Sequence, residues 1–214
     1  MCTLNMKETI EYYVHNSRIV FCTMLDATKA FDRVEYCRLF RLLIDRGLPP
    51  VVMTLLVNLY TNHVKRIAWN GVLSSTFEVL NCVKQGGVLS SVFLCVYIDG
   101  LLATLKDASI GCHIGSQFVG VLAYADDIVL LAPTPDALRL MLKLCDRCAN
   151  IFNILFNASK SKCLIVRPRG MTCGIPVTLL TFYYFIGGHV IEIVNELPHI
   201  AILYPLAVTI RLIF

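Results

Sequence analysis

Residues 118–132 read FVGVLAYADDIVLLA, two apolar runs separated by a polar step that contains the adjacent carboxylates Asp126 and Asp127. Apolar runs of this length predict buried strands, and a short connection between them predicts a hairpin. A turn that only reverses the chain more often contains Asn-Gly or Asp-Gly. Two neighbouring carboxylates repel each other, and a cation between them relieves that repulsion. The stretch therefore indicates a hairpin that carries either an ordinary acidic turn or a cation site.

Asp26 stands in the same context as this acidic pair. It ends an apolar run, residues 18–25 (RIVFCTML), which predicts another buried strand. If the two strands are neighbours, they bring together acids that are about 100 residues apart in the chain. Carboxylates combined with substrate phosphates suit Mg²⁺, and two-metal sites of this kind carry out phosphoryl or nucleotidyl transfer. Taken alone, Asp26 also fits a turn or a helix cap.

The composition bounds the class of protein. Of the 214 residues 57% are hydrophobic and only 16% are charged, which excludes a disordered chain. The length suits one large domain or two small ones with a substantial core. The formal net charge of +4 is a mild preference for polyanions.

The carboxyl-terminal part of the chain is almost uncharged and raises a membrane alternative. Residues 170–191 contain no Lys, Arg, Asp or Glu and are numerous enough to span a bilayer, and residues 197–213 are a weaker second candidate. A small integral membrane protein therefore stays open as an alternative.

The ten cysteines, in a chain that begins without a secretory signal, indicate reduced thiols and an intracellular location, cytoplasm or nucleus. Cys145 and Cys148 have the spacing of a helix core rather than that of a zinc site.

The apolar periodicity predicts an alternation of helices and strands. Asn70-Gly71 is a strong turn signal, although the loop is expected to continue to Ser75. Thr134, followed by proline and an acid, predicts a capped helix start. Helices are predicted over residues 7–15, 34–46, 51–61, 89–106 and 134–153, and strands over residues 18–25, 64–69, 77–83, 118–124, 128–132 and 163–167.

Four ordered motifs resemble those of one known family, the reverse transcriptases of non-LTR (LINE-like) retrotransposons. The motifs are LDATKAFDRV (residues 25–34), KQGGVLS (84–90), YADD (124–127) and FNASKS (156–161), which resemble the first catalytic motif, the glycine turn, the polymerase signature and the lysine motif. Residues 184–188 are weakly similar to the primer grip. The resemblance implies an α+β polymerase palm, an antiparallel sheet packed on helices, with incomplete fingers and no clear thumb. Residues 1–169 would form this palm, and residues 170–214 a divergent apolar tail.

The resemblance implies an RNA-directed DNA polymerase, a nucleotidyltransferase that extends a primer 3′-hydroxyl. Its partners are an RNA template, a DNA primer and deoxynucleoside triphosphates, and its cofactor is two Mg²⁺ ions, with Mn²⁺ as an alternative. By resemblance, Asp26, Asp126 and Asp127 hold the metals, and Lys160 neutralises or protonates pyrophosphate. Without the resemblance, Lys160 is an ordinary solvated charge.

Further site residues follow from the same resemblance and from the basic excess. Phe31 takes the position of the family's steric gate against ribose, although a core phenylalanine is the plain alternative. Glycine allows close approach of a backbone to a ligand. The nucleotide-binding candidates are Phe31, Gln85, Gly86, Gly87 and Tyr124. The candidates for phosphate contacts, each of which also fits a solvated face, are Lys65, Arg66, Lys84, Arg167 and Arg169.

The chain departs from the family pattern in several places. Ser91 replaces a proline, and Gly100 lies inside a predicted helix. Only 25 residues precede Asp26, too few for the fingers strands, and no thumb is evident. We expect a fragment or decayed copy whose missing fingers and thumb belong to a longer polyprotein. A catalytically dead nucleic-acid-binding remnant is the alternative.

Overall fold

The computed structural model describes residues 2–61, 64–78, 83, 87–124, 126–168 and 183–194. Within these ranges the α-helices are α1 (Cys2–His15), α2 (Tyr36–Asp45), α3 (Pro50–Thr61), α4 (Ser90–Ala108) and α5 (Pro135–Ile151), with a short 3₁₀-helix at Ala30–Arg33. The strands are β1 (Val20–Asp26), β2 (Val64–Lys65), β3 (Ala68–Trp69), β4 (Val72–Leu73), β5 (Phe77–Glu78), β6 (His113–Ile114), β7 (Gln117–Phe118), β8 (Val121–Tyr124), β9 (Asp127–Ala132), β10 (Lys162–Val166), β11 (Tyr184–Ile186) and β12 (His189–Val194).

The elements form two compact units. The first unit comprises Met1–Thr28 and Leu101–Phe214, and the second comprises Lys29–Gly100. The boundary between the units therefore falls inside α4. The predicted domain boundary at residue 169 lies outside the described residues.

A six-stranded sheet forms the frame of the first unit, in the order β11-β12-β10-β1-β9-β8. Its neighbouring strands are antiparallel, except that β10 and β12 are parallel. The α+β class predicted from the sequence is confirmed, but the expectation of a wholly antiparallel sheet is wrong at this one pair. The difference arises because the β11–β12 hairpin joins the sheet through its second strand.

Both faces of this sheet are covered. Alternate residues of β1 point to opposite faces, so that Phe21 and Leu25 pack against α5 and the second half of α4, while Val20 and Cys22 pack against α1. The helix α1 contributes Met6, Ile10 and Tyr13 to the second face. Burial on both sides explains why β1 is a nearly continuous apolar run rather than an alternating one.

The helix α5 starts where the sequence predicts and for the predicted reason. Thr134 has an extended backbone, and its Oγ1 accepts a hydrogen bond from the Ala137 N–H at 3.2 Å. The helix buries Cys145 and Cys148 in the core, as their spacing predicts. Free thiols among the described side chains are Cys22, Cys37, Cys95, Cys112, Cys145, Cys148 and Cys163.

The β11–β12 hairpin is absent from the elements predicted by periodicity. Gly187 and Gly188 have φ of 58° and 77°, the left-handed values that a two-residue hairpin turn requires. The Gly187 N–H donates to Asp146 Oδ1 on α5 at 2.8 Å. Tyr184 is fully buried and packs edge-on against Phe21, with ring centroids 6.2 Å apart. A Gly-Gly pair between the apolar run Tyr184–Ile186 and the apolar pair Val190-Ile191 is the sequence signal that identifies this hairpin.

The second unit contains α2, α3, the first part of α4 and two small hairpins. Asn70-Gly71 forms a two-residue turn between β3 and β4, with φ of 46° and 79°. The expectation of a loop reaching Ser75 is therefore wrong. Ser74 already pairs with Ile67, whose backbone N–H donates to its Oγ at 3.0 Å.

The helices of the second unit are held by both apolar and charged contacts. The rings of Tyr36, Tyr60 and Phe93 meet edge-on, with centroids 5.7 and 5.6 Å apart. An ion pair joins Arg46 at the end of α2 to Asp99 on α4, at 2.6 Å. The helix predicted at residues 34–46 is α2, and its amphipathic pattern is correct because Tyr36, Leu39 and Leu43 are buried.

Among the described residues, no helix is both long enough and apolar enough to cross a membrane. Residues 184–191 of the first membrane candidate contain β11 and the start of β12, so that interpretation is wrong for this segment. Residues 197–213 lie outside the described ranges.

We predict that Tyr184→Phe raises the free energy of unfolding by about 1 kcal/mol, because a buried polar group without a partner is costly. Among the described residues the Tyr184 hydroxyl has no hydrogen-bond partner, and burial raises its pKa, so it stays neutral. Urea denaturation measures the change. As a matched control, Tyr13→Phe removes a hydroxyl that donates to His113 O at 3.1 Å and accepts from its N–H at 2.9 Å. This control is expected to be destabilising, and equal effects of the two variants would contradict the argument.

Candidate catalytic site

Two carboxylates meet at one end of the central strands of the first unit. Asp26 is the last residue of β1 and lies directly opposite Asp127, the first residue of β9. Residues directly opposite each other in an antiparallel pair project from the same face of the sheet. Asp26 is half-buried and Asp127 is exposed. The prediction that the acids lie on adjacent strands is confirmed.

The register decides which member of the acidic pair faces Asp26. Tyr124 pairs with Asp127 across the β8–β9 hairpin, so Asp126 lies in the turn, where it is half-buried. The sequence groups Asp26 with both acids of the pair, and the structure places Asp127 directly opposite it and Asp126 one residue earlier. Tyr124 ends β8.

The backbone of Asp26 indicates how close the two carboxylates are. Its N–H donates to Ser161 Oγ at 3.2 Å, and its carbonyl accepts from the Asn157 N–H at 2.9 Å. Both groups point away from β9, which identifies Asp26 and Asp127 as a non-hydrogen-bonded pair. In such pairs the Cα atoms are about 4.5 Å apart and the side chains are closer than in the hydrogen-bonded type.

The carboxylates of Asp26 and Asp127 provide some of the ligands that a hard divalent cation needs. Two carboxylates on one face are the protein ligands that Mg²⁺ commonly uses, with water and substrate phosphates in its other positions. In the part of the chain that the structure describes, no three His, Cys, Asp or Glu side chains gather as a metal-binding group. The structure thus brings together two of the three predicted ligands.

The predicted lysine motif lies against the end of β1. Ala27 and Phe156 form an isolated antiparallel bridge, and the Thr28 N–H donates to Leu155 O at 2.7 Å. Lys160 follows in the same loop, where its backbone N–H donates to Asn157 Oδ1 at 3.3 Å and its side chain is exposed. Lys160 therefore lies between Asn157 and Ser161, both of which are hydrogen-bonded to the backbone of Asp26.

The nucleotide-binding candidates Phe31 and Gly87 belong to the second unit. Phe31 lies in the 3₁₀-helix, is half-buried, and its carbonyl accepts from the Val83 N–H at 2.9 Å. The Gly87 carbonyl accepts from the Ser90 N–H at 3.1 Å at the start of α4. Gln85 and Gly86 lie outside the described residues.

The basic candidates are divided between the units. Lys65 belongs to β2 and Arg66 follows it with an exposed side chain, both in the second unit. Arg167 follows β10 in the first unit and is half-buried. Lys84 and Arg169 lie outside the described residues.

Asn157 and Ser161 lie within the FNASKS motif, but the sequence gives neither of them a role in the site. Asn157 Oδ1 accepts from the Ser159 N–H at 3.1 Å, which is the hydrogen bond of an Asx turn. An asparagine followed two residues later by serine is a turn signal that could have identified this loop. No sequence signal indicates that the loop binds the backbone of Asp26.

Comparison with known families identifies a match over most of the chain. The family model for "Reverse transcriptase (RNA-dependent DNA polymerase)" matches residues 3–182. A Pol polyprotein of the retrotransposable element R2DM of Drosophila melanogaster is 30% identical over 153 residues, 72% of this chain and 14% of the relative. A Pol polyprotein of element R2 of Popillia japonica is 30% identical over 156 residues, 72% of this chain and 22% of the relative. The chain thus spans less than a quarter of these relatives.

Solved structures share the fold at low sequence identity. Telomerase from Candida tropicalis, in complex with a fragment of telomeric RNA, matches 76% of this chain and 28% of its own, with a TM-score of 0.57 and 12% identity. The apo form of that telomerase, truncated from its C-terminal domain, covers 80% of this chain and 35% of its own, with the same TM-score and 10% identity. At such identities the likeness shows the fold alone.

We predict that Asp26→Asn raises the free energy of unfolding by about 0.5 kcal/mol in the presence of a chelator, because like charges directly opposite on two strands are destabilising. Urea denaturation at neutral pH measures the gain, which should shrink at about 1 M salt as the charges are screened. Glu8→Gln, on an exposed position of α1, is the control for simple charge removal. A destabilised Asp26→Asn variant would contradict a net cost from repulsion between the two carboxylates.

Proposed function

The chain belongs to the reverse transcriptase family, and on that premise we propose that it forms the catalytic palm of an RNA-directed DNA polymerase. The observation that carries the proposal is the register of β1 and β9, which sets Asp26 opposite Asp127 at the end of a doubly covered sheet. An acidic pair in that position suits transfer of a nucleotidyl group to a primer 3′-hydroxyl. The R2 relatives are Pol polyproteins, which supports the assignment.

Reverse transcriptases generally use divalent metal ions, and the carboxylates here provide the matching ligands. We assign Asp26 and Asp127 as the pair that holds Mg²⁺ or Mn²⁺, with Asp126 as the third ligand from the adjoining turn. When bound, such ions activate the attacking hydroxyl and stabilise the charge on the transferred phosphate. Two ions are the number that the family resemblance implies.

The remaining residues position the substrate and handle the leaving group. Lys160, whose side chain is exposed, belongs to the loop that binds the end of β1 and is proposed to neutralise the departing pyrophosphate by charge or by proton donation. By the family resemblance, Phe31 is proposed to exclude the ribose 2′-hydroxyl, and Gln85, Gly86 and Gly87 are proposed to form the floor under the nascent base pair. Tyr124 flanks the acidic turn.

An RNA template, a DNA primer and deoxynucleoside triphosphates are the proposed partners. The telomerase neighbour that was solved with telomeric RNA supports a nucleic-acid partner. The basic residues proposed to contact phosphates, independently of sequence, are Lys65, Arg66, Lys84, Arg167 and Arg169. The β11–β12 hairpin, whose exposed residues include Phe185 and Val190, is proposed to support the primer strand. The free thiols favour an intracellular site of action.

The rest of the polymerase is proposed to come from a longer polyprotein. The relatives are more than four times as long as the matched region, and they have room for fingers and a thumb. The helix α3 exposes Val51, Leu55 and Leu59, which are spaced four residues apart on one side. An apolar stripe of this kind favours contact with another protein segment.

Primer extension on an RNA template with Mg²⁺ tests the assignment. We predict that Asp26→Asn and Asp127→Asn each lower the rate by about a hundredfold or more, because loss of one preorganised charge at a transfer site has effects of that size. Asp107→Asn, an exposed carboxylate near the end of α4, is the matched control and should keep full activity.

Two outcomes of this assay would contradict the proposal. Equal activity of the Asp26 and Asp107 variants would remove the acidic pair from the mechanism. No extension by the unchanged chain, together with salt-sensitive RNA binding, would favour the non-catalytic remnant.

We predict that Phe31→Val raises incorporation of ribonucleotides relative to deoxynucleotides on the order of tenfold, because a smaller side chain removes the crowding of the 2′-hydroxyl. Competitive incorporation assays measure the ratio. Phe31→Tyr keeps the ring and should keep the discrimination. An unchanged ratio in the valine variant would leave Phe31 as a packing residue only.

A further inference from the structure

We propose that Ser161 is a positioning residue that holds the Asp26 carboxylate in place through the backbone of Asp26. The inference rests on the proposed function and deepens it, since it concerns how one metal ligand is oriented. It assigns a role to a hydroxyl in the loop between α5 and β10 rather than to another acid.

The end of β1 lacks a strand partner on the side of β10. The register of these two strands runs from Val20 opposite Val166 to Met24 opposite Lys162. Asp26 lies two residues beyond that last pair, so β10 does not supply its hydrogen bonds. The loop at residues 157–161 takes over, because it supplies one donor and one acceptor to Asp26.

These hydrogen bonds link Asp26, Ser161 and Asn157 in a closed network. The Asp26 N–H donates to Ser161 Oγ at 3.2 Å, and the Ser161 hydroxyl donates to the Asn157 carbonyl at 2.8 Å. The Asn157 N–H in turn donates to the Asp26 carbonyl at 2.9 Å. A hydroxyl can accept and donate at once, whereas an aliphatic side chain of similar size can do neither.

Burial makes the Ser161 hydroxyl hard to replace. Ser161 is 0% exposed. Without its hydroxyl, the Asp26 N–H faces a position from which solvent is largely excluded, and the strand end must shift to find another acceptor. Any such shift moves the carboxylate relative to Asp127.

The loop itself is fixed independently of Asp26. Asn157 Oδ1 accepts from the Ser159 N–H at 3.1 Å, from the Ser159 hydroxyl at 2.6 Å and from the Lys160 N–H at 3.3 Å. The loop is therefore a preformed support that also orients the backbone of Lys160. One short segment positions two of the residues assigned to the chemistry.

Mn²⁺ binding to the full chain, measured by the loss of the electron paramagnetic resonance signal of free Mn²⁺, tests the role of Ser161. Removal of groups that orient metal ligands costs about 10–100-fold in metal affinity. We expect Ser161→Ala to weaken Mn²⁺ binding about tenfold while the chain still unfolds cooperatively. Ser161→Thr keeps the hydroxyl and should restore most of the affinity.

Ser159→Ala is the matched control, because its hydroxyl binds the same Asn157 but does not contact Asp26 in the hydrogen bonds described. This variant should bind Mn²⁺ within about twofold of the unchanged chain. If Ser161→Ala retains full affinity while Asp26→Asn loses it, the positioning role is overturned. If both serine variants lose affinity equally, the effect belongs to the loop as a whole and the role of Ser161 is likewise overturned.

Amide hydrogen exchange at Asp26 separates failure of this inference from failure of the proposed function. An unchanged chain that binds no Mn²⁺ would overturn the metal site. In that case faster exchange of the Asp26 amide in Ser161→Ala, but not in Ser159→Ala, would still support the positioning contact. Unchanged exchange in Ser161→Ala would overturn it.

Discussion

The pairing of β1 with β9 is the interaction on which the rest of the first unit depends. It aligns six residues of each strand, from Phe21 opposite Ala132 to Asp26 opposite Asp127. The neighbouring pair, Leu25 opposite Ile128, is buried, and burial of such a side chain stabilises the fold by about 1.5–3 kcal/mol. The repulsion between opposed carboxylates costs about 0.2–1 kcal/mol. The apolar contacts therefore outweigh the charge repulsion and hold the acids together.

Two layers of support surround this pair. On one face α5 packs on the sheet and anchors the β11–β12 hairpin through Asp146 and the buried ring of Tyr184. On the other face α1 covers Val20 and Cys22. Beyond the end of β10, the loop that contains Asn157 and Ser161 binds the backbone of Asp26. The acidic end of the sheet is thus fixed by helix packing on both faces and by hydrogen bonds to one loop, and such support favours a preorganised site.

Family membership and local geometry contribute different parts of the functional argument. The match over residues 3–182 shows which family the chain belongs to. The strand register shows that this chain keeps two carboxylates on one face of the sheet. The chain corresponds to a small part of its relatives, so polymerase activity is a proposal for a palm that works with further segments.

The sequence by itself determined most of the helices and the long strands, because apolar periodicity reports burial directly. It also determined the Thr134 cap and the position of Asp26 and the Asp126-Asp127 pair at strand ends. Tertiary structure alone decided that Asp127 is the residue opposite Asp26, since a shift of one residue in register moves every side chain to the other face. It also decided the parallel pairing of β10 with β12 and the contact of Ser161 with Asp26, which join segments far apart in the chain. Periodicity carries no information about such partners, because it records which residues are buried and not which strand or loop buries them.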